Sequence, residues 1–263
     1  MFIFFVLVIS GSIFGSFLNV LIYRIPRGES IVLPPSHCPN CNHRLGILDL
    51  FPVLSYLGLQ GRCRYCKTPI SWRYPLVEVL TGGLTLLCWI LFGTSSDVLM
   101  ALILTYVLIV IAFIDLDHQL IPNVLTLPMM VIGLLFRIWQ GEIIAGILGG
   151  LIGGGLLLII TLLYPKGMGM GDVKFLAMIG VFLGWEKALF TLFSGSLLGV
   201  LVILPLMLLK KIDRKTAFPF GPFLVVGALI ALYWEEIVYM LYSYYGMYIL
   251  VITKSGFLSD HTF

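Results

Sequence analysis

Apolar residues gather along the chain into eight blocks, at about 2–23, 75–93, 98–114, 124–139, 142–163, 173–185, 188–209 and 218–241. They have spanning or near-spanning length for a hydrocarbon core of ~30 Å, although the sixth is short, at roughly 13 residues. The pattern predicts an all-α polytopic membrane protein with about eight transmembrane helices. One long polar segment, residues 24–74, interrupts it and is rich in Pro, Cys, His and Arg. The blocks divide the chain into a first transmembrane helix (1–23), an extramembrane domain (24–74), a seven-helix membrane domain (75–242) and a C-terminal tail (243–263). The opening run MFIFFVLVISGSIFGSFLNVLIYR lacks a basic start and is long enough to span, so it reads as a membrane helix rather than a signal peptide.

Composition removes the soluble alternative. Of 263 residues, 60% are hydrophobic and 11% charged, a balance that would leave a water-facing surface built of apolar side chains. The surroundings expected for it are lipid. The formal net charge of +3 gives no reason to expect a nucleic-acid partner. The placement of charge is more informative, because Lys and Arg are retained on the cytoplasmic side during insertion. Most of the 16 basic residues fall in three connections: Arg24, Arg27, Arg44, Arg62, Arg64, Lys67 and Arg73; Lys166 and Lys174; Lys210, Lys211, Arg214 and Lys215. Eight crossings put all three on one face, with the N-terminus outside and the 24–74 loop in the cytoplasm. The same alternation brings DLDHQLIPN (115–123) and KGMGMGDVK (166–174) to that cytoplasmic face.

Glycines four apart, Gly11 with Gly15, Gly180 with Gly184 and Gly195 with Gly199, together with GILGGLIGGG at 146–155, place small residues on single helix faces. They predict close helix packing in lipid rather than ligand contact.

Two motifs carry chemistry. Cys38 and Cys41 in CPNC, and Cys63 and Cys66 in CRYC, form two C-x-x-C turns with a spacing that converges four thiolates on a tetrahedral Zn2+. Paired disulfides are the alternative, disfavoured in a reducing compartment. A segment of about 50 residues has little core of its own, so the metal is expected to be structural. His37 and His43 flank the first pair as possible replacement ligands, and Cys88 reads as a buried apolar side chain.

The second motif is a pair of acids. Asp115 follows an apolar block directly, and Asp172 follows GMGMG just before another. Carboxylates at a membrane edge are functional candidates by default. Two that meet there cannot both ionise cheaply, which gives an acid and a base sharing a water, the arrangement of peptide hydrolysis without a covalent intermediate. Helix capping is the competing reading, since Asp172 stands where an N-cap belongs. Asp117 and Glu78 are rival partners, Glu78 being better suited to pairing with a basic residue or the backbone. GMGMG lacks the G-x-G-x-x-G spacing and the preceding strand of a dinucleotide site.

The segments GSFLNVLIYRIP (15–26), CPNC, CRYC, SWRYPLVE (71–78), DLDHQLIPN, GMGDVK (169–174) and PFGPFL (219–224) together resemble the type IV prepilin peptidases, in family order and over nearly the whole chain. The resemblance implies a multi-pass aspartic endopeptidase of the bacterial inner membrane that removes the leader of type IV prepilins or pseudopilins at the cytoplasmic face. It implies Asp115 and Asp172 as the catalytic pair and Cys38, Cys41, Cys63 and Cys66 as the cysteine set. It further implies N-methylation of the new amino terminus with S-adenosylmethionine, for which no motif offers a binding residue. An ion-coupled transporter would also have glycine-rich helices and membrane acids, but its acids usually lie near the midplane. A zinc-bearing docking module of a secretion apparatus is a third reading. Cleavage by the purified protein separates the enzyme from both.

Overall fold

The computed structural model describes residues 2–164, 168–209 and 218–258. Lys166, Lys210, Lys211, Arg214 and Lys215, which carried part of the orientation argument, lie outside the described residues, as do Gly167 and the last five residues of the tail. Among those described, the elements are α1 (Phe2–Arg24), a short α2 (Leu54–Gly58), α3 (Arg73–Phe92), α4 (Asp97–His118), α5 (Asn123–Gln140), α6 (Ile143–Leu163), α7 (Met170–Leu183), α8 (Trp185–Leu208) and α9 (Gly221–Leu258). Seven of these, all but α2 and α7, are long and apolar enough to cross a membrane. The fold is therefore nearly all helical, with eight apolar helices and a loop domain between the first and second of them.

Three helices depart from the apolar blocks in instructive ways. α4 continues through Asp115, Leu116 and Asp117 to His118, and stops where Gln119 turns left-handed at φ 51°. Both acids thus ride on its last turn instead of following its end. α7 begins at Met170 because Gly169, extended at φ −91° and ψ 155°, takes the cap position. Asp172 is consequently the third residue of the helix and not its N-cap. α9 runs on to Leu258 because the sequence beyond Tyr242 remains apolar, and adding residues to an existing helix is far easier than starting one.

Small residues set the packing. A Cβ on Gly15 of α1 would lie 2.8 Å from the Glu78 Cα of α3, and one on Gly149 of α6 would collide with the Gly180 carbonyl of α7. Backbones this close gain dispersion contact that larger side chains would forbid. Leu18, Ile22, Val77, Ile109, Val110 and Ile114 join α1, α3 and α4. A second core is centred on α7, whose Phe175, Leu176, Met178, Ile179 and Phe182 are fully buried. Its C-terminal carbonyls are met by the buried Arg137 of α5, which donates from Nη2 to Phe182 O at 2.6 Å and from Nε to Val181 O at 3.4 Å. A cation at a helix C-terminus opposes the negative end of the dipole, so this arginine anchors α7 at the end remote from Asp172.

Candidate active site and four-cysteine centre

Three helix ends converge around the two aspartates. Asp115, buried on the last turn of α4, accepts the Gly221 N–H on Oδ2 at 2.9 Å. Gly221 is the first residue of α9, so the carboxylate lies against that helix's N-terminus. The local cost of an acid at the end of α4 is offset by a second helix whose dipole favours it. Only glycine permits the approach, since a Cβ at position 221 would lie 2.6 Å from the same oxygen. Asp172 bends back within α7, its Oδ2 accepting the Gly169 N–H at 3.2 Å while its own N–H donates to Gly169 O at 3.2 Å. It too receives an N–H left free at a helix N-terminus.

The segments next to the acids touch. A Cβ on Gly171 would come within 3.1 Å of Ile121, and Lys174 Nζ donates to Asn123 Oδ1 at 3.0 Å. Asp115 and Asp172 thus stand on helix turns that flank this contact. Two carboxyls at one end of a bundle, each steadied by one backbone N–H, are groups from which a general acid and a general base can be drawn.

The rival acids are otherwise engaged. Asp117 is ion-paired with Arg73 at the start of α3. Glu78 accepts the Val53 N–H at 2.8 Å, fastening the loop to α3 at a residue with φ 60°. Sequence reasoning gives neither Gly221 nor Arg73 a part in the site. A signal was present for the first, since a Gly-Pro step opening an apolar block marks a helix start approached closely by something else. Nothing in the sequence marks Arg73 as the partner of Asp117.

The cysteine loop is built from two copies of one turn. Asn42 N–H donates to Cys38 O at 2.9 Å and Cys38 N–H to His43 O at 3.0 Å; Lys67 N–H donates to Cys63 O at 3.1 Å and Cys63 N–H to Thr68 O at 2.9 Å. In each copy the residue after the second cysteine is left-handed, Asn42 at φ 54° and Lys67 at φ 59°. Asn40 of the first turn donates to Thr68 Oγ1 of the second at 2.8 Å. All four thiols are free, with their sulfurs within 4.8 Å of one another. Cys38 and Cys66 sulfurs stand 3.7 Å apart, far beyond a disulfide's ~2.05 Å and near the ~3.8 Å edge of a tetrahedron of sulfurs at about 2.3 Å from a metal. The donor set can hold a metal ion. Thr68, through its side chain and then its backbone, stabilises the Cys66 thiolate and draws its pKa down to about 5. Neither His37 nor His43 belongs to the cluster; the His43 ring stacks on Tyr65 at 3.6 Å.

Comparison with known proteins covers both regions. The family model for the bacterial peptidase A24 N-terminal domain matches residues 9–92, and that for the type IV leader peptidase family matches residues 102–204. A protein of Aeromonas hydrophila named prepilin leader peptidase/N-methyltransferase is 38% identical over 256 residues, covering 84% of this chain and 87% of the relative. Proteins of the same name from Pseudomonas putida and Burkholderia pseudomallei (strain 1026b) are 36% and 33% identical, over 87% and 89% of this chain and 90% and 86% of their own lengths. No solved structure matches the chain.

Proposed function

Because the chain belongs to the type IV leader peptidase family, we propose that it is an integral membrane aspartic endopeptidase that removes the leader of a type IV prepilin or pseudopilin and N-methylates the new amino terminus. What supports the peptidase half is that Asp115 and Asp172, on separate helices, lie at one end of the bundle and are each steadied by a helix-terminal N–H. One carboxylate takes a proton from the water between them as the water oxygen bonds to the scissile carbonyl carbon. The other carboxyl gives its proton to the departing nitrogen as the C–N bond breaks. Asp117 is a positioning residue, its charge occupied by Arg73.

The four cysteines bind one structural Zn2+, closing all four coordination positions. The metal supplies stability to a loop that has little apolar core. S-adenosylmethionine supplies the methyl group. The protein spans the bacterial inner membrane several times, with the 24–74 loop and the aspartates on the cytoplasmic side. In support, the basic residues that the sequence assigns to that side include Arg73, which pairs with Asp117, and Lys174, which reaches Asn123 beside the acids.

A prepilin's apolar helix remains in lipid while its basic leader emerges in the cytoplasm, so the scissile bond reaches the aspartates at the membrane edge. Incubating purified protein with a full-length prepilin and S-adenosylmethionine should yield a mass-spectrometric product that has lost its leader and gained a methyl group. An intact precursor would refute the peptidase, and a cleaved but unmethylated product would refute the second activity. A soluble peptide spanning only the junction should be cut with much lower kcat/KM than the embedded precursor, because binding energy from the apolar helix is lost.

A further inference from the structure

One stretch of the cysteine loop wears its apolar residues on the outside. Ile47 and Leu48 are 86% and 74% exposed, and Leu54 and Leu57, on one face of α2, are 62% and 64% exposed. The polar groups among them turn the other way. Asp49, the one charged side chain in ILDLFPVLSYL (47–57), faces inward to Arg64 and the Gly46 N–H, and Tyr56 donates its hydroxyl to Ile70 O at 3.4 Å. A segment facing water would reverse this arrangement, so the patch is a surface that something covers.

The depth at which the segment is held says what covers it. The exposed Trp72 and the adjoining Arg73 mark where α3 enters the membrane, an aromatic ring and a cation at headgroup level. Glu78 stands about 7.5 Å further along that helix, and its Cα lies against Gly15, well inside α1. Its carboxylate accepts the Val53 N–H at 2.8 Å. A glutamate side chain is shorter than that rise. Even leaning back toward the helix start, it therefore holds Val53, and the α2 that follows, at about the level where α3 enters. The loop's other exposed apolar stretch, Val32 and Leu33, is tied to the same boundary, because Arg24 at the end of α1 donates to Ser30 O at 2.8 Å and Pro34 O at 2.7 Å on either side of it.

The charge of the loop selects among occupants. Residues 24–74 hold seven basic residues and two acids, Glu29 and Asp49, the second already paired with Arg64. Cations around an apolar patch suit anionic headgroups lying over hydrocarbon, whereas a second copy of the loop would set like charges against each other. We propose that residues 47–57 form an interfacial anchor, with their aliphatic side chains sunk among the acyl chains of the adjoining phospholipid leaflet. With five residues in α2 the segment cannot cross; it lies in the plane of the interface. The four-cysteine cluster is thereby carried at the membrane surface instead of free in solvent. The anchor follows from the membrane-spanning nature of the chain and needs neither catalytic activity.

The test uses wild-type, full-length protein in vesicles of phosphatidylethanolamine and phosphatidylglycerol, photolysed with an apolar diazirine that partitions into hydrocarbon. Residues 47–57 should be labelled about as densely as α6 and at least about fivefold more per residue than the cysteine turns 38–44 and 62–68, because side chains sunk in lipid meet the reagent and solvated ones do not. The label should fall on Leu54 and Leu57 and not on the inward-facing Tyr56. Labelling of 47–57 no greater than that of the turns, or label on Tyr56 in place of the leucines, would overturn the anchor. So would labelling abolished by full-length prepilin, since the patch would then belong to the substrate's helix. Each of these results leaves the peptidase and methyltransferase readings untouched.

Discussion

The cysteine loop and the aspartate end of the bundle solve the same problem, holding polar groups in fixed geometry, by opposite means. In the loop each ligand's position is set within a few residues, by a repeated turn closed through Cys38, Asn42 and His43 and again through Cys63, Lys67 and Thr68. At the aspartates nothing is local. Asp115 is fixed by Gly221, 106 positions away, and Asp172 stands on a helix clamped by α6 and capped by Arg137. The loop therefore rests mainly on its own repeated turns, with ties to the bundle through Glu78 and Arg24, whereas the aspartates depend on the packing of five helices.

The largest expected effect strikes the aspartates alone. Asp115→Asn and Asp172→Asn should each reduce cleavage by at least about 10²–10⁴-fold, measured on full-length prepilin, because an amide cannot pass the proton. Normal metal content and membrane insertion should accompany the loss; near wild-type cleavage by either variant would remove that residue from the pair. Asp117→Asn should lose far less, and an equally complete loss would move the catalytic role to it.

Gly221→Ala probes whether the aspartates answer to distant packing. Its Cβ would meet Asp115 Oδ2 at 2.6 Å, so the carboxylate or the start of α9 must shift. A displacement approaching 1 Å at a reacting group can cost about 10²-fold, so a loss between about ten- and a hundredfold in kcat is expected, with the cysteine loop unaffected. Full activity would mean that Asp115 needs no support from α9.

The converse experiment breaks the loop. Cys→Ser at any of the four positions, or chelation, should empty a site holding one zinc per chain and expose residues 24–74 to protease before the bundle loosens. Metal analysis that finds no zinc in reduced wild-type protein would remove the site, and simultaneous proteolysis of loop and bundle would show that the two regions are not independent.

The smallest effect is at the loop surface. Arg64 donates to Asp49 at 2.6 Å and holds its carboxyl below the usual range. The pair's contribution is present at neutral pH and lost as pH falls through the depressed pKa of Asp49. With Arg64 substantially exposed, Asp49→Asn should weaken the loop by only about 0.2–1 kcal/mol, less in high salt, as read by limited proteolysis.

The contrast also explains what the sequence reveals. Eight apolar blocks announce eight apolar helices because lipid imposes length and composition on each one separately. The C-x-x-C pairs announce a cluster of four sulfurs able to hold a metal ion because its geometry is written into short spacings. Position along the chain points to Asp115 and Asp172, but not to what holds them. That Gly221 approaches Asp115, that Arg73 occupies Asp117 and that Glu78 fastens the loop at Val53 are results of packing across long separations, which no local pattern encodes. Asp172 reads as an N-cap for the same kind of reason, because the sequence does not say that Gly169 will be extended and the helix will start before the acid.

One dimension of α7 reaches beyond its packing. With 14 residues it rises about 21 Å, some 9 Å less than the hydrocarbon thickness around it. Neighbouring helices enclose most of its surface, so lipid cannot thin to meet it, and the shortfall is taken up at its ends within the protein. The N-terminal end of this short helix is the one that carries Asp172, so the carboxyl stands where a helix too short to span leaves room beside longer neighbours. A hydrolase needs water, and a substrate helix resists leaving lipid; a short helix among long ones is a means of reconciling the two.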